Sequence, residues 1–186
     1  MEDKNKSKKN WTIISREKVY DGSPFINIFK DKIALPNGKI IDDYHRIEID
    51  DAVMLIVENE REEIMVYSEY RHGIGEESYT FPAGAIENGE APEDAAQREL
   101  LEETGYKSNY SMEIKNFVVS GSYMFSNLYY IHMQNIKKVS DPSSKDMENP
   151  SLQWLSYKQV QDALENNKFR GLTYASAALL WLLKKK

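Results

Sequence analysis

The segment from Gly84 to Tyr106 carries acidic residues at a spacing that suggests chemistry. It reads Gly84, five residues, Glu90, seven residues, Arg98-Glu99-Leu100, one residue, Glu102-Glu103, one residue, Gly105-Tyr106. On an α-helix Glu99, Glu102 and Glu103 stand at positions i, i+3 and i+4, so their carboxylates share one face. Three such groups repel each other unless cations neutralise them, and hard oxygen ligands suit Mg²⁺ or Mn²⁺ better than zinc or copper. The pattern therefore predicts a divalent-cation site that can neutralise a diphosphate and activate a water molecule for in-line attack.

Residues around these acids support the same interpretation. Arg98 lies one turn before Glu102 and is able to pair with it or with Glu90, which would hold the carboxylates in place. Gly84 is expected to let the backbone bend tightly and to expose the Ala83 carbonyl as a further ligand. A solvated, glutamate-rich helix face is the alternative for two adjacent glutamates alone, but the complete pattern is far more specific than that pair.

A helix from about Pro92 to Thr104 must carry the acids. Pro92 suits the first helical position, and Glu93 and Asp94 favour the positive end of the helix dipole. Gly105 is expected to end the helix, since glycine readily takes the left-handed conformation found there.

The rest of the chain alternates between turn signals and runs rich in β-branched and aromatic residues, which predicts strands. The expected strands are Trp11–Tyr20, Phe25–Ile33, Lys39–Ile49, Ala52–Val57, Glu63–Tyr70, Tyr79–Phe81, Glu113–Ser120, Tyr123–Gln134 and Leu152–Leu155. Two closing helices are expected over about Tyr157–Asn166 and Thr173–Lys184. Together these elements predict an α/β fold with a mixed sheet between helices.

Composition limits the classes of function. The 186 residues fit one domain, and the net charge of −6 argues against nucleic acid or an anionic membrane as the main partner. The absence of cysteine excludes disulfides and a thiolate nucleophile, and it fits a cytoplasmic location. Met1–Asn10 is expected to be a disordered tail, and the apolar stretch Ala175–Leu183 is too short to span a bilayer.

With these residues in view, the segment Gly84–Tyr106 resembles a complete Nudix box. Other segments are similar in layout to bacterial ADP-ribose pyrophosphatases and related nucleotide-sugar hydrolases: Trp11, Pro36-Asn37-Gly38, Tyr44-His45-Arg46, Glu69-Tyr70-Arg71 and Phe81-Pro82-Ala83-Gly84. This resemblance implies an α/β/α sandwich with a mixed sheet. It also implies a β-rich subdomain at residues 11–49 that swaps onto a partner in a homodimer, followed by a catalytic domain at residues 50–186.

The resemblance also implies the ligands of the Mg²⁺ or Mn²⁺ ion. They would be the carbonyl of Ala83 and the carboxylates of Glu99 and Glu103, with Glu102 assisting.

The substrate contacts implied by the resemblance lie outside the box. Arg46 and Arg71 would hold phosphates or ribose, although both residues could also be plain surface arginines. Phe25 is the candidate for stacking on the base, and the alternative is that it belongs to the core or to an interface.

The general base is expected in the acidic loop Asp141–Pro150, where Glu148 fits best. Glu102 or Glu103 could serve instead. Arg98, which organises the acids, completes the expected catalytic set with Glu148 and Glu102.

The expected reaction is attack of water on a nucleoside diphosphate linked to a sugar or similar group, giving two phosphomonoesters. Two departures from the family pattern put ADP-ribose itself in doubt: Thr80 stands where glutamate is frequent, and Gly121-Ser122 stands where a Pro-Gly pair is usual. One alternative is a nucleotide sensor without hydrolysis, but such modules usually lose a box acid and this chain retains them all. Another is a hydrolase of nucleoside triphosphates or capped RNA, and the acidic balance disfavours RNA.

Overall fold

The computed structural model describes residues 10–110, 113–143 and 151–185. The strands are β1 (Thr12–Gly22), β2 (Ile26–Ala34), β3 (Ile40–Glu48), β4 (Ala52–Val57), β5 (Ile64–Arg71), β6 (Glu76–Thr80), β7 (Ala83–Ala85), β8 (Tyr106–Ser108), β9 (Glu113–Ser120), β10 (Met124–Met133), β11 (Ile136–Lys138) and β12 (Ser151–Leu155). The α-helices are α1 (Pro92–Glu99), α2 (Tyr157–Glu165) and α3 (Leu172–Lys184), and a π-helical turn spans Leu100–Thr104.

One compact unit extends to Asp50 and takes in Val118–Asn127. Its strands β1, β2 and β3 form an antiparallel meander, and the start of β10 pairs in parallel with β3 through Met124 and Ile47. Every residue of β1 except Gly22 is exposed, although the strand is rich in β-branched residues.

The second unit contains Asp51–Phe117 and Leu128–Lys186. Within it β10 runs parallel to β4, and β4 runs antiparallel to β7, so the predicted mixed sheet is confirmed. The run Val53–Val57 is buried throughout because α1 packs on β4 and α3 packs on it as well. Strands covered on both faces have continuous apolar sequences, which is why this strand does not alternate.

The core of the second unit joins α1 to the sheet. Its buried members are Val53, Leu55, Val57, Met65, Ala95, Ala96, Leu100, Ile131 and Met133. Fully burying one of the larger aliphatic side chains contributes on the order of 1.5–3 kcal/mol. The two alanines add little area, but their small size lets the backbone of α1 lie close to the strands.

Two smaller sheets complete the second unit. Strands β12, β5 and β6 form an antiparallel sheet in that order, and β11 pairs with β8. The sequence did not predict β8 or β11, because three-residue strands are too short to show a hydrophobic period.

A buried carboxylate fixes the closing helix α3. Glu58 accepts hydrogen bonds from the Trp181 indole at 3.0 Å and from Lys185 at 2.6 Å, and it lies 2.7 Å from Nε2 of His132. Burial lowers the pKa of His132 below its ordinary value, so the imidazole is neutral at pH 7. The closing helix predicted over about Thr173–Lys184 is confirmed as α3. In the described part of the chain, α3 and the other helices are too short or too polar to cross a membrane.

Candidate active site

Strand β7 places the first box glycine beside the core. Gly84 lies opposite Val53 of β4, and the amide of Leu55 donates to the carbonyl of Pro82 at 2.8 Å. These backbone contacts hold Ala83 and Gly84 in extended conformation at the end of the sheet. The expected tight bend at Gly84 is therefore wrong, because the residue pairs in a strand and its φ is not positive.

The helix carrying the acids begins as predicted but changes its geometry. Pro92 occupies the first turn of α1, and Gly105, with φ of 72°, ends the segment. The α-helix itself stops at Glu99, and the next turn is π-helical, with the Thr104 hydroxyl donating to the Leu100 carbonyl. The strict i, i+3, i+4 geometry therefore does not continue from Glu99 into the next two acids. Such π turns are rare and occur frequently at functional sites.

Glu99 occupies the space that a side chain at position 84 would need. A Cβ on Gly84 would lie 1.9 Å from Oε1 of Glu99 and 2.0 Å from its carboxyl carbon. The side chain of Glu99 is only 13% exposed. Gly84 is thus required for close approach, and it brings a carboxylate against the backbone that follows Ala83.

Arg98 holds the acids and the strand together. Its Nε and Nη2 donate to the two oxygens of Glu90 at 2.9 and 2.8 Å, and its Nη1 donates to Glu99 at 2.6 Å. Nη2 also donates to the carbonyl of Ala85 at 2.9 Å, and Nη1 lies 3.6 Å from a carboxylate oxygen of Glu102. The expected pairing with Glu90 is confirmed, whereas the bonds to Glu99 and Ala85 were not predicted.

The arginine also determines the ionisation of its main partner. Hydrogen bonds from Arg98, followed by one from the backbone amide of Glu87, lower the pKa of Glu90 to about 2. Glu90 is therefore ionised at any pH near neutrality and serves as the fixed anchor of Arg98.

The donor set around Gly84 fits a hard divalent cation. Arg98 supplies one positive charge against three carboxylates, Glu90, Glu99 and Glu102, and Oε2 of Glu103 is buried nearby on the same turn. The excess of negative charge and the oxygen-only chemistry match the preferences of Mg²⁺ and Mn²⁺. Within residues 10–110, 113–143 and 151–185, no group of three or more His, Cys, Asp or Glu side chains converges as metal ligands. A bound cation would therefore need a backbone carbonyl and water in its shell.

The predicted substrate residues fall in different units. Arg71, at the end of β5, lies in the second unit. The same unit contains the predicted metal ligands, namely Ala83, Glu99, Glu102 and Glu103. Phe25 lies in the first unit, in the turn between β1 and β2, and is 81% exposed. The expected base Glu148 lies outside the described residues.

In the first unit, Arg46 is a buried residue rather than a surface arginine. It lies opposite Phe29 on the neighbouring strand, and its guanidinium carbon is 4.1 Å from the centroid of the Phe125 ring. Nη2 donates to Glu48 at 2.6 Å, whereas Nε is buried without a hydrogen-bond partner among the described residues. Such a donor is satisfied when a ligand oxygen reaches it. The sequence missed Phe29, since only the strand register places it against Arg46.

Family models match both parts of the chain. A model described as NUDIX domain matches residues 49–175. A second, described as nucleoside diphosphate sugar hydrolase N-terminal domain, matches residues 11–47.

Individual proteins are similar to this chain as well. A Bacillus subtilis protein named ADP-ribose pyrophosphatase is 31% identical over 107 residues, covering 58% of this chain and 57% of that protein. A Bacillus methanolicus protein named methanol dehydrogenase activator is 24% identical over 160 residues, covering 81% of this chain and 85% of that protein. A crystal structure of an ADP compounds hydrolase is 24% identical with a TM-score of 0.79, and the match covers 94% of this chain and 92% of the other. This last likeness confirms the predicted α/β fold.

A substitution at Gly84 tests whether Glu99 contributes to the cation site. Gly84→Ala should weaken Mn²⁺ binding at least about tenfold, because the added methyl group displaces the carboxylate of Glu99. Electron paramagnetic resonance of free Mn²⁺ during a titration measures this. Gly73→Ala is the matched control, since a Cβ there meets nothing within 4 Å. Equal Mn²⁺ affinity of Gly84→Ala and the unmodified protein would show that Glu99 does not contribute to the cation site.

Proposed function

The chain belongs to the NUDIX family, and on that premise we propose that it is a metal-dependent pyrophosphohydrolase acting on a nucleoside diphosphate linked to another group. ADP-ribose or a nucleotide sugar is the proposed substrate class. Water attacks one phosphorus, the bridging P–O–P bond breaks, and two phosphomonoesters leave. The observation that carries the proposal is the carboxylate of Glu99, held against Gly84 by Arg98 in a site with excess negative charge. The match of residues 11–47 to a nucleoside diphosphate sugar hydrolase domain supports the substrate class.

The proposed cofactor is Mg²⁺ or Mn²⁺. The carbonyl of Ala83 and the carboxylates of Glu99 and Glu103 would hold it, with Glu102 assisting. When bound, such an ion neutralises diphosphate charge and lowers the pKa of the attacking water. The protein's own part is to hold the carboxylate of Glu99 in place, and the bonds from Arg98 to Glu90 and Glu99 do this.

Two arginines are proposed to bind the substrate. Arg71 has a side chain that is 40% exposed, so it can bind phosphate oxygens without a rearrangement of the core. Arg46 offers its buried Nε to phosphate or ribose. For base stacking we propose an aromatic of the first unit, either Phe25 or Phe29, which lies beside Arg46.

Glu148 is proposed as the general base. The described chain on either side of its loop is fixed to the second unit: the amide of Ser143 donates to the Glu102 carbonyl at 2.8 Å, and Ser151 pairs with Ser68. The bond of Ser143 supports the proposal, because Glu102 is on the turn that carries the box acids. A base from outside the box is needed if the box carboxylates are engaged by the cation.

A homodimer is also proposed, with β1 to β3 as the interface. Exposed apolar side chains on and beside β1 support it, namely Trp11, Ile13, Ile14, Val19 and Tyr20. Exposed apolar area of this extent on one element is typical of association surfaces. We propose a cytoplasmic location, with which the absence of cysteine agrees.

A substrate panel tests the proposed reaction. With Mg²⁺ or Mn²⁺, ADP-ribose or a nucleotide sugar should release phosphomonoesters, detected by a phosphatase-coupled assay, and EDTA should stop the release. Glu103→Gln should lower the rate at least about a hundredfold, because a ligand of the Lewis acid is lost. Glu93→Gln, which replaces an exposed acid in the first turn of α1, should leave the rate unchanged. Cleavage of nucleoside triphosphates alone, or normal turnover by both Glu103→Gln and Glu99→Gln, would refute the proposal.

The assignment of the base is tested separately. Glu148→Gln should lower kcat at least about tenfold with little change in KM, the pattern for a group that acts in the transition state. Asp146→Asn, two residues away in the same loop, should do far less. If Asp146→Asn strongly lowers kcat while Glu148→Gln has normal kcat, the base is Asp146. If both variants have normal kcat, the base is one of the box acids.

The dimer is tested by light scattering. The protein should have twice the 21.6 kDa mass of one chain at micromolar concentration. Ile13→Glu should shift the mass toward the monomer, because a charge in an apolar interface is costly. A stable monomer of the unmodified protein would exclude the proposed assembly.

A further inference from the structure

Strand β5 carries a carboxylate where it leaves the core. The strand begins with buried apolar residues from Ile64 and then places Glu69, whose side chain is only 10% exposed. Glutamate is depleted in strands, and a carboxylate at this depth is costly unless it is paired. Packing of the core gives no reason for an acid at this position.

The side chain of Glu69 contacts both Thr80 and Arg71. Its Oε1 accepts a hydrogen bond from the hydroxyl of Thr80 at 2.6 Å and lies 3.3 Å from Nη1 of Arg71. Thr80 is buried, so its single hydroxyl proton is committed to this carboxylate. A bond from a hydroxyl to an ionised acceptor is among the stronger ones in proteins.

These residues lie on the face that reaches the box. Tyr67, Glu69 and Arg71 are spaced by two along β5, so they share one side of the sheet. The register pairs Tyr67 with Thr80, which puts Thr80 on the same side. At one end of this face the Tyr67 hydroxyl donates to the backbone carbonyl of Glu103 at 3.3 Å.

From this geometry we propose that Glu69 is a positioning residue that orients Arg71 for the phosphates of the substrate. Its carboxylate holds the guanidinium of Arg71 beside Thr80 at the end of β6, three residues before Ala83 at the start of β7. The spacing between the phosphate contact and the proposed cation ligands is thereby kept constant. The inference rests on the proposed function through the role given there to Arg71. Glu69 itself touches neither substrate nor cation.

The direction in which anion affinity changes when Glu69 is replaced distinguishes a positioning role from simple charge repulsion. A negative charge near a phosphate site repels the ligand, so removing it would tighten the binding of an anion. Loss of a positioning group has the opposite effect, because Arg71 must then lose conformational freedom when the ligand binds.

Calorimetric binding of ADP in EDTA tests the proposal without turnover. Glu69→Gln and Arg71→Gln should each weaken ADP binding several-fold, and the double variant should bind no more weakly than Arg71→Gln alone. Thr80→Val should also weaken ADP binding, and this variant provides the test if Glu69→Gln does not fold. Glu77→Gln is the matched control, since it removes the same charge from the opposite, exposed face of β6.

The outcomes separate the inference from the proposed function. Unchanged or tighter ADP binding by Glu69→Gln and Thr80→Val, or losses that multiply in the double variant, would overturn the positioning role. No ADP binding by the unmodified protein would overturn it as well. If the unmodified protein binds ADP but hydrolyses nothing in the substrate panel, the proposed function fails, and the comparison of variants still decides the role of Glu69.

Discussion

The candidate site depends on one steric constraint, the absence of a side chain at Gly84. The carboxylate of Glu99 lies where a Cβ would be, so any other residue at position 84 would displace this carboxylate from the backbone of β7. Core packing also brings the helix to the sheet, because the small Ala95 and Ala96 let α1 lie close to β4. The chemistry of the site and the packing of the core are therefore set by the same contact between helix and sheet.

Charge is the second constraint, and Arg98 distributes it. Its bonds to Glu90 use an acid that stays ionised, since these bonds lower the pKa of Glu90 to about 2. Only Nη1 of the guanidinium faces Glu99 and Glu102, so the single positive charge of Arg98 does not balance the carboxylates of the site. A divalent cation relieves such a surplus of negative charge on hard oxygens. An apolar core does not tolerate it.

Sequence periodicity and capping signals predicted most of the elements that position the site. The strand Ala52–Val57 and the start of α1 at Pro92 were predicted at the observed residues, since both depend on local composition. The π-helical turn after Glu99 was not predicted, because its sequence suits an α-helix equally well and the difference lies in which carbonyls are bonded. The partner of Arg46 was missed for a similar reason: Phe29 reaches it only through the register of β2 and β3.

The departure at Thr80 shows why a motif read one residue at a time gives an incomplete account of a site. Taken alone, threonine in place of the frequent glutamate indicates that a carboxylate has been lost beside the Pro-Ala-Gly turn. In the folded chain the Thr80 hydroxyl bonds to Glu69, so a carboxylate is present at this position and comes from the adjacent strand β5. The two strands pair with Tyr67 opposite Thr80, which puts Glu69 within reach. Threonine at position 80 alone therefore does not mean that the region before the Pro-Ala-Gly turn lacks a carboxylate, because Glu69 supplies one from β5.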